Sequence, residues 1–173
     1  MLYYNIATCD LGHILLARNA DGICSIALAD NETALLAELR HHFPQAEPHS
    51  DDAQAQQWLV QVITAIENPT SAVELPLAIT GTAFQQQVWQ ALRDIPAGTT
   101  RSYSQLAQRL AKPQAVRAVA SACAANKIAV LIPCHRIVRS NGALSGYRWG
   151  VERKQALLER ESHPINCAHP NAD

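Results

Sequence analysis

The chain lacks most of the features that mark a specialised environment. No apolar run approaches the roughly 20 residues that a membrane-spanning helix needs. The start, Met1-Leu2-Tyr3-Tyr4-Asn5, has no basic patch leading into an apolar stretch, so a secretory leader is not expected. The five cysteines, Cys9, Cys24, Cys123, Cys134 and Cys167, are odd in number and form no CxxC pair. That argues against a disulfide framework or a four-cysteine zinc site and for a soluble protein of the reducing cytoplasm. Cys9, Cys24, His13 and the pair His41-His42 also lack a metal-ligand spacing. Seven glycines and nine prolines in 173 residues are too few for a repetitive or disordered chain. What is present is 48% hydrophobic residues, enough for one compact domain or two small ones sharing an interface.

The net charge of −1 hides an asymmetry. Residues 1–100 carry three Lys/Arg (Arg18, Arg40, Arg93) against eleven acidic residues, whereas residues 101–173 carry eleven Lys/Arg against four. Such a split fits a half that avoids polyanions beside one that meets them, and it fits equally well two halves that attract each other. Composition leaves both open.

Hydrophobic periodicity orders the chain. Tyr3–Thr8, His13–Ala17 and Ile23–Leu28 read as short strands, with turns at Gly12 and Asp21-Gly22. Helical spacing covers 31–42 and 52–66, and Leu75–Ile79 reads as extended. From Thr82 onward the pattern is mostly helical. Phe84, Val88, Trp89, Leu92 and Ile95 form one apolar stripe. Ser102-Tyr103-Ser104-Gln105 is a capping box opening a helix through Leu110, and Lys112-Pro113 predicts a turn into an alanine-rich helix over 114–124, with Pro113 at its first position. Two short helices around a tight turn suit a helix-turn-helix. The second offers Arg117 as its only long cation. That composition suits close, sequence-indifferent docking, and it suits a buried helix–helix contact as well.

The chemistry-bearing segment is Ile128-Ala129-Val130-Leu131-Ile132-Pro133-Cys134-His135-Arg136. Its apolar run predicts a buried strand, with a thiol and an imidazole just beyond Pro133. A thiol becomes a nucleophile on losing its proton, which a neighbouring imidazole promotes. A Cys-His dipeptide alone also fits a small buried hydrophobe beside a satisfied histidine.

The residues Ile132-Pro133-Cys134-His135-Arg136, preceded by Asn126 and followed by Ser145-Gly146-Tyr147-Arg148, resemble the active-site region of the O6-alkylguanine-DNA alkyltransferases. The likeness continues through Phe84–Trp89, Ser102–Ala107, Arg117–Val119, Arg153-Lys154 and Leu157–Glu161. Gly81–Phe84 and Ala118–Lys127 look most like the adaptive-response branch of that family in bacteria. The resemblance implies an α+β fold: a small ribonuclease H-like α/β domain over 1–78, then a mostly helical, winged-helix-like domain with a helix-turn-helix over 79–162. Residues 163–173, with Cys167, read as a flexible tail without a role.

It also implies irreversible, stoichiometric transfer of an alkyl group from O6-alkylguanine, and O4-methylthymine, in double-stranded DNA. Cys134 would be the acceptor, His135 its base through a water, Glu161 the partner that orients His135, and Asn126 the brace of the active-site backbone. Tyr103 would donate toward the extruded purine, with Ser145, Tyr147, the Arg148 amide and Trp149 around the pocket. Ala115, Arg117, Ala118 and Arg136 would meet DNA, with Arg117 filling the space of the flipped base. No metal and no cofactor are implied, nor a membrane; the partner is DNA, and the protein a monomer with cooperativity on DNA left open. Trp149, larger than the residue of some relatives, would exclude bulky adducts. No zinc-cysteine module like that of the adaptive-response proteins is seen, so a stand-alone protein and one half of a longer chain are both open. A helix-turn-helix damage sensor with a structural Cys134, and a papain-type hydrolase, are the competing readings.

Overall fold

Alternating apolar residues in the first thirty positions make three antiparallel strands, β1 (Tyr3–Cys9), β2 (Gly12–Arg18) and β3 (Ile23–Ala29). The computed structural model describes residues 1–69 and 73–162, so the expected tail and Cys167 lie outside the described residues. A two-residue strand, β4 (Glu47–Pro48), adds in parallel to β1, giving the order β3-β2-β1-β4. Helix α1 (Glu32–His42) packs on β2 and β3, and α2 (Ala53–Glu67) on β1 and β2. Asn31 caps α1 by accepting from the Ala34 amide. Asp52 caps α2 in the same way and is also gripped by Arg18 at 2.5 and 3.0 Å, so its carboxyl titrates below the usual range, chiefly through that contact.

Among the described residues, Leu75–Ile79 pairs at Leu77 alone, opposite Ile23. The Pro76 carbonyl accepts from the Ile23 amide at 2.9 Å, and a Cβ on Gly22 would stand 2.5 Å from that oxygen. Gly22, at φ +149°, is therefore needed for this crossing.

The second half is built on α3 (Ala83–Arg93), α4 (Tyr103–Arg109), α5 (Val116–Ala124) and α6 (Val151–Ser162). The expected capping box at α4 is present, Ser102 and Gln105 each satisfying the other's backbone amide, and Thr82 and Gln85 do the same at α3. Helices α3, α4 and α5 pack on one another, and the Trp89 indole donates to the Ala122 carbonyl at 2.9 Å. The α4–α5 turn closes through Ala111 in the left-handed region at φ 59°, with the Lys112 amide reaching back to Ala107.

Two sequence expectations are corrected in this half. Helix α5 begins at Val116, so Pro113 belongs to the turn and not to a first helical position. The run Ile128–Ile132 forms no strand: Ile128 makes a single bridge to Ile26, and the chain then turns. Beyond it lies a parallel pair of two-residue strands, β5 (Arg101–Ser102) and β6 (Ile137–Val138). No described helix is long and apolar enough to cross a membrane.

Candidate active site

The active-site segment hangs from the edge of the N-terminal sheet. Ile26 donates to the Lys127 carbonyl at 3.0 Å and accepts from the Ala129 amide at 2.9 Å. The chain then reverses sharply: Val130 sits at φ 70°, and the Leu131 amide reaches the Ala129 carbonyl at 2.7 Å. A β-branched residue in this tight turn stores strain of about 1–3 kcal/mol, tolerated only where the surroundings hold it. Asn126, 1% exposed, does much of the holding. Its Oδ1 accepts from the Ile128 amide at 2.9 Å, and its Nδ2 donates to the Ile132 carbonyl at 2.9 Å and to Cys134 Sγ at 3.2 Å. The residue that shapes the turn therefore also touches the sulfur.

Cys134 opens a one-turn 3-10 helix, Cys134–Arg136, and is 7% exposed. Burial pushes its thiol up; the Asn126 hydrogen bond and the Lys154 charge act against that rise. Cys123, on α5, is pushed up to about 12, chiefly by burial; the Lys154 charge acts against that rise, and among the described residues no hydrogen-bond donor does.

His135 is wholly buried, and its Nε2 lies 2.9 Å from Glu161 Oε2. Burial lowers its pKa, outweighing the raising effect of Glu161, so the resting ring is neutral. A carboxylate only accepts, so Nε2 carries the proton and Nδ1 is left as the base. Nδ1 is buried and has no partner among the described residues.

Burial would push the Glu161 carboxyl up, but the hydrogen bonds from His135 and Arg136 hold it down to about 2. Arg136 grips both oxygens, at 2.8 to 3.2 Å, and spends its remaining nitrogen on the Ile95 carbonyl at 2.6 Å. This corrects the expectation that Arg136 meets DNA: its guanidinium is consumed in fixing Glu161.

The structure also brings together Tyr103, from the start of α4, and Ser145, whose oxygens lie 2.6 Å apart. Lys154, in α6, donates to the same serine at 3.3 Å. The sequence reading gave Lys154 no role, although Lys at an apolar face position of a helix is an available signal. The Tyr147 ring stands edge-on to His135 at 6.4 Å between centroids and to Trp149 at 5.2 Å.

Trp149 and the Arg148 side chain lie elsewhere. Trp149 is 4% exposed, and its indole donates to Glu38 of α1 at 3.3 Å. It backs Tyr147 and does not rim a pocket, so the expected exclusion of bulky adducts by its size loses its basis. Arg148 pairs with Glu38 at 2.7 Å, meets His42, and donates to the Asn126 carbonyl at 3.1 Å. These two residues tie the site to the first half. Glu38 and His42 were missed because nothing in the local pattern of α1 marks them.

Of the later cations, Arg148, Arg153 and Arg160 pair with Glu38, Asp30 and Asp10 of the first half. Arg101, Lys112, Arg117 and Arg139 are exposed and, among the described residues, form no ion pair. The attraction between the halves is therefore present at three of these cations, and the four exposed ones are left for another partner. Arg117 and Ala118 are exposed on α5 and Ala115, at its cap, is half-buried.

The structure thus sets a thiol beside a buried imidazole–carboxylate pair, with the linked hydroxyls of Tyr103 and Ser145 and the Lys154 ammonium near it. Comparison with known proteins identifies the family. The family model described as 6-O-methylguanine DNA methyltransferase, ribonuclease-like domain, matches residues 2–79, and the model for the DNA binding domain of the same family matches 83–163. The chain is 55% identical over 159 residues to the bifunctional transcriptional activator/DNA repair enzyme Ada of Escherichia coli strain K12, covering 92% of this chain and 45% of that protein. It is 35% identical over 161 residues to the inducible methylated-DNA–protein-cysteine methyltransferase of Bacillus subtilis, covering 92% and 90%. The solved Mycobacterium tuberculosis OGT in complex with DNA is similar at a TM-score of 0.79 and 32% identity, with 93% of each chain covered. The chain thus spans under half of some relatives and nearly all of others.

Proposed function

The chain belongs to the 6-O-methylguanine DNA methyltransferase family, and from that premise we propose that it repairs DNA by moving the alkyl group of O6-alkylguanine, and of O4-methylthymine, irreversibly onto Cys134. The observation that carries this reading is the wholly buried His135, held by Glu161 at 2.9 Å, next to a thiol that already accepts a hydrogen bond from Asn126. A surface protein contact has no use for such an arrangement. A nucleophile consumed once needs a sulfur poised to ionise and shielded from other oxidants and electrophiles.

The roles divide as follows. Nδ1 of His135 takes the thiol proton through a bridging water, and Glu161 stabilises the imidazolium that forms. Sγ attacks the alkyl carbon in line, and the purine leaves with a proton from Tyr103. Tyr147, Ser145 and the Arg148 amide line the base pocket. The target lies inside a duplex, so the nucleotide is rotated out, with Arg117 entering the gap and the small residues Ala115 and Ala118 letting α5 lie close in the minor groove. Residues 79–162 hold DNA and acceptor, and residues 1–78 brace them, in a reducing cytoplasm that keeps Cys134 a thiol. The reaction needs no cofactor.

The test is label transfer from duplex DNA carrying labelled O6-methylguanine. The expected result is one methyl per molecule, found on Cys134, and none with Cys134→Ala, while duplex affinity is unchanged. Continued turnover, or loss of the lesion with Cys134 unmodified, overturns the proposal. Binding without transfer would leave a damage sensor.

A further inference from the structure

Lys154 is among the largest side chains in the molecule that are wholly enclosed, at 1% exposure. Among the described residues no carboxylate pairs with it. Its Nζ meets Ser145 Oγ at 3.3 Å, the thiols of Cys134 and Cys123 are near enough to influence its charge, and that charge in turn acts on His135. Burial lowers its pKa, and those thiols act the other way. A Met or Leu would pack at this position without taking a charge out of water, so packing alone does not account for a lysine.

One of these hydrogen bonds has a fixed direction, and it leaves the other able to run outward. An ammonium donates and never accepts, so Ser145 Oγ is the acceptor from Nζ. Its own hydrogen is then free for Tyr103 Oη, 2.6 Å away, short even for two hydroxyls. Where Ser145 donates and Tyr103 Oη accepts, the tyrosine proton is left free to point away from the serine. A positive charge at the closed end polarises each O–H toward the open end.

We propose that Lys154 is a positioning residue for the transfer step, acting through Ser145 to hold Tyr103 as the proton donor to the departing purine; the inference rests on the reaction assigned above. The balance is complete. The Sγ–C bond forms as the C–O6 bond breaks, and the electron pair of that bond goes to the purine. The purine takes the Tyr103 proton, Tyr103 is refilled from Ser145, and Ser145 from Lys154, which ends as a neutral amine. The proton released by Cys134 sits on His135, so the total charge is unchanged.

The test separates departure of the purine from ionisation of the sulfur. Iodide leaves iodoacetamide without needing a proton, whereas the purine needs one. With Lys154→Met, single-turnover methyl transfer from duplex DNA is expected to fall about 100-fold, the scale of a lost proton donor, while carboxamidomethylation of Cys134 by iodoacetamide falls at most a few fold. Tyr103→Phe is expected to show the same split, and Tyr103→Phe combined with Lys154→Met to be no slower than Tyr103→Phe alone. Ser145→Ala, which leaves the lysine in place, serves if Lys154→Met does not fold. Equal losses in both reactions, multiplicative losses in the double variant, or transfer at the parent rate overturn the inference. If the parent protein itself leaves Cys134 unmethylated, the proposed reaction fails instead.

Discussion

The buried relay and the outer face of α5 handle charge in opposite ways. At the relay, Glu161, Arg136 and His135 satisfy one another at 2.8 to 3.2 Å, with side-chain exposures of 5, 15 and 0%. On α5, Arg117 is exposed and, among the described residues, forms no ion pair. A group that moves a proton needs a fixed geometry and a low dielectric, and both require its partners to be inside the protein. A group that grips a polyanion has to keep its charge unspent until the partner arrives. Arg136 and Arg117 are the same residue type in these two settings, one paired inside the protein and one exposed, and the proposed function gives each a different use.

Substitutions that break one region and spare the other test that contrast. The largest effect is expected from Glu161→Gln. It strands the Arg136 charge and removes the His135 orienter, so methyl transfer should fall about 100-fold or more and stability by about 3 kcal/mol in urea denaturation, with duplex affinity retained. The pH dependence follows. The Glu161 carboxyl is held at about 2, below its ordinary 4.5, so its contribution to stability is full above pH 4.5 and is lost as pH falls toward 2. The same acid titration on Glu161→Gln should show a shallower decline; an unchanged curve would show that the relay is not a stabilising unit.

Arg117→Ala is expected to have the reverse signature. Repair of a paired lesion should drop on the order of 10-fold, about 1.4 kcal/mol and so part of the few kcal/mol that extruding a base costs, while reaction with free O6-methylguanine base is unchanged. Equal losses on both substrates would remove the wedge role. Arg139 is exposed and near enough to Tyr103 to lower its pKa slightly against the rise that burial causes. Arg139→Gln should reduce the slope of log affinity against log salt by about 0.9, one phosphate's worth, without changing the rate at saturating DNA. The smallest effect belongs to the seam between the halves. Glu38→Gln loosens Arg148 and Trp149, and should cost about 1 kcal/mol of stability or less, as for other part-exposed ion pairs. A large loss of transfer instead would place the first half inside the chemistry.

Much of this architecture was legible locally. Strands Tyr3–Cys9, Gly12–Arg18 and Ile23–Ala29, and the helix capped by Ser102 and Gln105, follow from patterns within a few residues. The strand expected over Ile128–Ile132 failed because its apolar residues serve a turn pinned by Asn126 and by the edge of β3, not a ladder. Cys134, His135, Asn126 and Glu161 were readable as a set through the family resemblance, and the structure brings them together. The uses of Arg136, Trp149 and Lys154 were not readable. The partner of Trp149 lies 111 positions away in the chain, and that of Arg136 lies 25 away across the fold.

Sequence by itself determined the periodic elements and the helix caps, because propensity and capping act over a turn or two, and it named the candidate reactive residues through the family resemblance. Tertiary structure decided which cations are spent and which stay free, which tryptophan backs the site, and where a lysine is enclosed. Those outcomes depend on burial and on which distant carboxylate or carbonyl comes within hydrogen-bond reach, and only the folded chain sets such distances.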